Sequence, residues 1–228
     1  MTQALTNPTG PPQQLGSSMS AKLLAGGGFA NLPIPLMEYV RLGCVYKAGC
    51  FVAANGIAPV QDYPTTTAGL GLYNNNDPST NRCLVVIRAG FCLTSGTAVA
   101  GATLIGHVPS QPVADAQKPT ANQAGYGFTN LLGGRPDNSG GLFKASLTIP
   151  AYLYPSGGGW FNMQSQFQIA GAVAAQLGEG YDDTKDHFMI IPPRYAAGFG
   201  IISSAGTSPL YSISLVVMSI PLVTSDIV

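Results

Sequence analysis

The chain reads as an all-β domain, an antiparallel β-sandwich of jelly-roll type preceded by an extended N-terminal arm. Three observations predict this. Apolar residues recur with period two in short runs from residue 36 onward, and only Ala170–Leu177 has helical composition. The 228 residues include 29 Gly and 18 Pro, clustered between those runs as turn signals. No self-similarity at a fixed period is present, which removes propellers and solenoids and leaves eight or more strands for a sandwich or jelly roll.

Taken in order, residues 1–35 form the arm. Thr2–Ser20 is rich in Thr, Pro, Gly, Gln and Ser, Gly26-Gly27-Gly28 follows, and no core can be built from such a stretch. Residues 36–228 form a single sandwich domain. Leu36–Tyr46 and Cys50–Ala53 read as strands about a turn at Lys47-Ala48-Gly49. The next stretch reads as a loop, with Tyr63-Pro64 and Asn74-Asn75-Asn76-Asp77-Pro78 as its turn chemistry. Arg82–Thr94 is a long strand with Cys83, Val85, Ile87, Ala89, Phe91 and Leu93 on one parity. Val99–His107 is its expected hairpin partner across Ser95-Gly96. Pro109–Gly141 is a long polar excursion, of the kind that makes contacts. Further strands are expected at Leu142–Ile149, Trp160–Ala170, Phe188–Ile191, Phe199–Ser203 and Tyr211–Leu222. The last begins by alternating and ends apolar on both faces, the mark of a central strand covered on both sides.

Charge is scarce. Ten Lys and Arg against ten Asp and Glu make 9% of the chain and a net charge of zero, whereas about a quarter of an ordinary domain is charged. At 23.5 kDa, a monomer exposes roughly 9,800 Å², or about one charge per 490 Å². Such a surface is expected to face other copies or other proteins more than water. No Lys/Arg run exists to neutralise phosphates, so a nucleic-acid partner is not expected. The uncharged stretches at residues 145–178 and 195–225 are broken by Pro155, Pro209 and Pro221, which argues against membrane spans. The start has neither a basic nor an apolar run, so no signal peptide is expected. Cys44, Cys50, Cys83 and Cys92 fit no zinc or redox spacing and read as buried reduced thiols of a cytoplasmic product; Cys83 and Cys92 differ in parity and should face opposite ways.

Chemistry is thin. His107 and His187 have no G-x-S-x-G elbow to serve, and no glycine run has a phosphate-binding pattern. The acidic stretch Glu179–Asp186 lacks the EF-hand spacing; a solvated loop tip competes there with a calcium site. In Trp160–Ala170, Phe161, Met163, Phe167 and Ile169 alternate with Asn162, Gln164, Gln166 and Gln168. Neutral amides in that row can pair with each other or with another chain without the desolvation cost of ions, or form the outer side of a plain half-exposed strand. Tyr152, Tyr154 and Trp160 could make a sugar-stacking platform, or else core and interface anchors.

In its low-charge, Gly/Ala/Thr/Ser-rich β pattern, its N-terminal arm and its closing strand Tyr211–Pro221, the chain resembles the small β-sandwich proteins of tailed-bacteriophage virions. These are capsid decoration, vertex and head-fibre proteins. The resemblance implies a homo-oligomer bound to other virion proteins, located in the virion after assembly in the host cytoplasm, with no enzymatic activity and no cofactor. Contacts would then come from the arm, with Leu32, Ile34 and Leu36 as plugs, and from the Asn162, Gln164, Gln166 and Gln168 face. The alternative is an adhesive jelly roll that binds glycans through Tyr152, Tyr154 and Trp160.

Overall fold

Period-two patterning becomes ten strands in the computed structural model, which describes residues 40, 42–50, 56–96, 101–107, 112–148, 160–166, 189–203 and 209–221. The strands are β1 (Val45–Cys50), β2 (Thr67–Asn74), β3 (Arg82–Ser95), β4 (Ala102–His107), β5 (Tyr126–Asn130), β6 (Gly141–Thr148), β7 (Phe161–Gln166), β8 (Met189–Ile191), β9 (Ala196–Ser203) and β10 (Leu210–Pro221). Sheet I has the order β5-β1-β10-β3-β8 and sheet II the order β6-β2-β9-β4-β7. All the strand pairs are antiparallel. The two inner faces share one core that includes Leu70, Leu72, Phe143 and Phe199 from sheet II and Leu84 and Ile213 from sheet I. Each fully buried side chain of that size contributes about 1.5–3 kcal/mol.

The pairing is long-range and ordered. β1 pairs with β10, β2 with β9, β3 with β8 and β4 with β7, so early strands meet late ones in reverse sequence. β10 also pairs with β3 and β9 with β4. β5 and β6 occupy the outer edges beside β1 and β2. β10 lies at the centre of its sheet, in line with its apolar second half.

Several expectations are corrected. Lys47-Ala48-Gly49 is no turn but part of β1; Gly49 has φ 147, and a Cβ there would run into the Ile213 carbonyl oxygen. β4 is not the hairpin partner of β3, because it belongs to the other sheet, between β9 and β7. The Pro109–Gly141 stretch contains β5 and is therefore not one long loop. The segment read as a loop after residue 53 contains β2, whose Gly69 and Gly71 hid its pattern.

β3 also fails to keep one parity. A bulge at Ile87 sets Arg88 opposite Val216 and Val86 opposite Val217. Val85 and Ile87 therefore join an outer-face cluster, while Ala89, Phe91 and Leu93 pack in the core. Cys83 and Cys92 end on the same side, opposite Ile220 and Ser212, both outside the core. Nine positions apart on one strand, they are separated by about 30 Å, and both are free thiols, Cys83 buried and Cys92 exposed.

Candidate interaction surfaces

One end of the sandwich is stitched by amides. Asn74, fully buried at the end of β2, donates through Nδ2 to the carbonyls of Arg82 and Ile191, both at 2.8 Å. Its Oδ1 accepts from the Asn76 backbone N–H at 3.0 Å and from Asn76 Nδ2 at 2.9 Å. Asn76 Nδ2 also donates to the Ser139 carbonyl at 2.9 Å, which accepts from Ser219 Oγ at 3.0 Å as well. Arg82 Nη1 donates to Ser219 Oγ at 3.1 Å. β2, β3, β8, β10 and the loop before β6 are thereby locked together. At the sequence level Asn74-Asn75-Asn76 signals only a turn, since nothing local shows that the first amide points inward.

The outer face of sheet II is roofed by the chain's own loops. Val113 donates its N–H to the Arg194 carbonyl at 2.9 Å and packs, buried, in a cluster with Tyr73, Leu147 and Ala196. Trp160 packs against the same cluster, donates Nε1–H to the Pro64 carbonyl at 3.0 Å, and lies 5.5 Å from the ring of buried His107. Its indole is half-buried and acts as an anchor between β7 and the loop before β2. Tyr152 and Tyr154, the other members of the aromatic trio, lie outside the described residues.

A cleft of about 310 Å³ opens where β2 and β9 separate, lined by Gly56, Ala58, Thr67, Gly69, Ser146 and Gly200 among others. Val60 enters there and bridges β9 in parallel, donating its N–H to Ile201 O at 2.8 Å and accepting from Ser203 N at 3.0 Å. Among the described residues that line it, no side chain is titratable. Among the described residues, no group of three His, Cys, Asp or Glu side chains is placed to hold a metal ion.

Among the described strands, β7 stands at an edge of sheet II. Asn162 is exposed and pairs with Ile105, but a register shift between Leu104 and Ile105 separates it from Gln164 and Gln166, which pair with Leu104 and Ala102. The shift interrupts the period-two backbone pairing along β7 between Asn162 and Gln164. Met163 is buried, whereas Phe161, expected inside with it, is 36% exposed. Gln168, Leu32, Ile34 and Leu36 lie outside the described residues, as does the acidic stretch Glu179–Asp186.

Of the outer face of sheet I, the residues signal the doubly covered end of β10 but not its extent across β1 and β3. Val45, Val85 and Ile87 are buried there, with Val40, Val216, Met218 and Ile220 partly buried around them. The doubly apolar end of β10 was the available signal. Burial raises the Cys83 thiol above its usual range. No helix among the described residues is long and apolar enough to cross a membrane. Comparison of the chain with protein-family models, with curated proteins and with solved structures finds no match.

Proposed function

We propose that this chain is a structural subunit of a virus particle, built on a jelly roll, that associates with its own copies and with other virion proteins through its N-terminal segment and low-charge faces. The observation that carries this reading is the strand order. Without β5 and β6, the sheets run β1-β10-β3-β8 and β2-β9-β4-β7, as when a long antiparallel hairpin is rolled into two Greek keys. That architecture is widespread in viral capsid and lectin domains, and fold alone does not choose between them. The choice rests on charge: 20 charged residues in 228 leave a surface suited to burial against protein. The indole of Trp160, bonded to Pro64 and packed on the sheet, favours an anchor over a sugar platform.

Absolute mass by light scattering across a wide concentration range tests the proposal. A stable trimer, pentamer or larger assembly is expected, little changed between low salt and about 1 M salt, because few exposed ion pairs are available to screen. Deleting residues 2–30 is expected to leave a folded domain that no longer assembles. A monomer at every concentration that also binds glycans on an array would replace this reading with the adhesive one.

A further inference from the structure

Residues directly opposite on neighbouring antiparallel strands share a face, so the register of sheet I lays out its outer surface in rows. One row is Val45, Met218, Val85 and Ile190, taken across β1, β10, β3 and β8. Val45 and Val85 are buried, Met218 is half-buried, and Ile190 is 40% exposed. The next row is Lys47, Val216 and Arg88, with both cations exposed. Beyond it come Gly49, Ser214 and Gly90, which carry almost no side chain.

Val40 packs into the apolar end of this face. It reaches that position because the chain reverses just before β1: the Gly43 N–H donates to the Val40 carbonyl at 2.9 Å, and Gly43 takes φ 71. The chain therefore arrives over the outer face of sheet I and not in the plane of the sheet.

Two occupants compete for the rest of the face. Twofold pairing with a second copy would set Lys47 and Arg88 against their own counterparts, and the three rows contain no acid to offset them; like-charge juxtaposition of this kind disfavours an interface. The preceding chain has the opposite character. Asn31-Leu32-Pro33-Ile34-Pro35-Leu36-Met37 is uncharged, has apolar residues at period two, and is followed by Glu38. Its prolines suit an extended segment that needs no ladder donors.

Length puts the segment's own sheet within reach. Leu36 is separated from Val40 by at most about 14 Å of extended chain, and Leu32 by at most about 28 Å. Sheet I, five strands across, is about 19 Å wide. A neighbouring domain of this size set side by side has its equivalent face on the order of 40 Å away.

We propose that Leu32, Ile34 and Leu36 pack on the outer face of their own chain's sheet I, over Val216, Met218 and Ile190, which their tether to Val40 keeps in reach, and that contacts with another subunit come from residues before about position 30. The proposal does not depend on the virion reading, since an isolated monomer would show the same packing.

The test is a full-length chain carrying Ile34→Cys and Met218→Cys, with Cys44, Cys50, Cys83 and Cys92 replaced by Ala, oxidised at low protein concentration. A disulfide within one chain, independent of dilution, is expected. A disulfide formed only between chains overturns the proposal, as does no disulfide at all in a folded sample. In case the four-Ala background fails to fold, Met218→Cys is labelled with maleimide in the otherwise natural full-length chain and read peptide by peptide. Changing Leu32, Ile34 and Leu36 together to Ser is expected to speed that labelling about tenfold or more, because local opening then no longer limits it. Unchanged labelling overturns the proposal. Particle mass, measured on the same samples, reports separately on assembly.

Discussion

Asn74 has its hydrogen-bonding capacity fully engaged inside the protein, two donors and two acceptor positions used within 3.0 Å. Asn74→Ala removes all four bonds and takes a donor from two carbonyls, which is expected to cost about 3 kcal/mol or more, read from the urea midpoint. Asn74→Asp is expected to be no milder, because it turns an acceptor towards those carbonyls. Tyr46, Tyr73 and Tyr211 are a second residue-scale feature. Burial, the leading cause in each, raises their phenols above the ordinary 10.0, helped at Tyr46 by Cys44 and Asp137. The folded state therefore holds these protons to higher pH than the unfolded chain does. Their contribution is complete below about pH 10 and is lost as pH rises beyond it. The urea midpoint should fall through that range, and Tyr211→Phe, which keeps the ring packing, should flatten the fall.

At the scale of the element, glycine decides whether β2 exists. A Cβ on Gly71 would run into Leu147 of β6. Gly71→Ala is expected to cost about 1–3 kcal/mol by overpacking. Leu147→Ala alone is expected to cost about 2–5 kcal/mol. Together they should cost less than their sum, since each relieves the other, and a double-mutant cycle on urea midpoints measures that coupling. Much of this scale was legible in advance. β3, β6, β8 and β10 lie within a residue or so of their expected limits, because each alternates clearly. β2 was not legible, because Gly69 and Gly71 carry no polarity to read while a neighbour's side chain fills their space. The face switch in β3 was not legible either, because the bulge at Ile87 is set by pairing with β10.

For the whole molecule, the low charge has two sources. In a simple sandwich the outer faces of both sheets meet water and carry polar residues. Here sheet II is apolar on its outside as well and is covered by the chain's own loops through Val113, Pro64 and Trp160. Sheet I is apolar outside around Val85 and Ile87, beside the point where the N-terminal segment arrives. Part of the missing charge therefore reflects layers folded back on the sheets, and the remainder motivates the assembly proposal. Of the candidate surfaces, the anchoring alternative for Trp160 and the apolar end of β10 were readable from residues alone. The amide stitch and the cleft were not, since both join segments far apart in sequence.

The all-β class, most of the strands and the central character of the last one are legible residue by residue, because period-two patterning and turn chemistry are local properties of the chain. The sheet each strand joins, the departure of β4 from β3 to β9, the inward turn of Asn74 and the shared face of Cys83 and Cys92 arise from long-range packing. Strand partners are chosen by packing between residues distant along the chain, and a single bulge reverses every side chain beyond it.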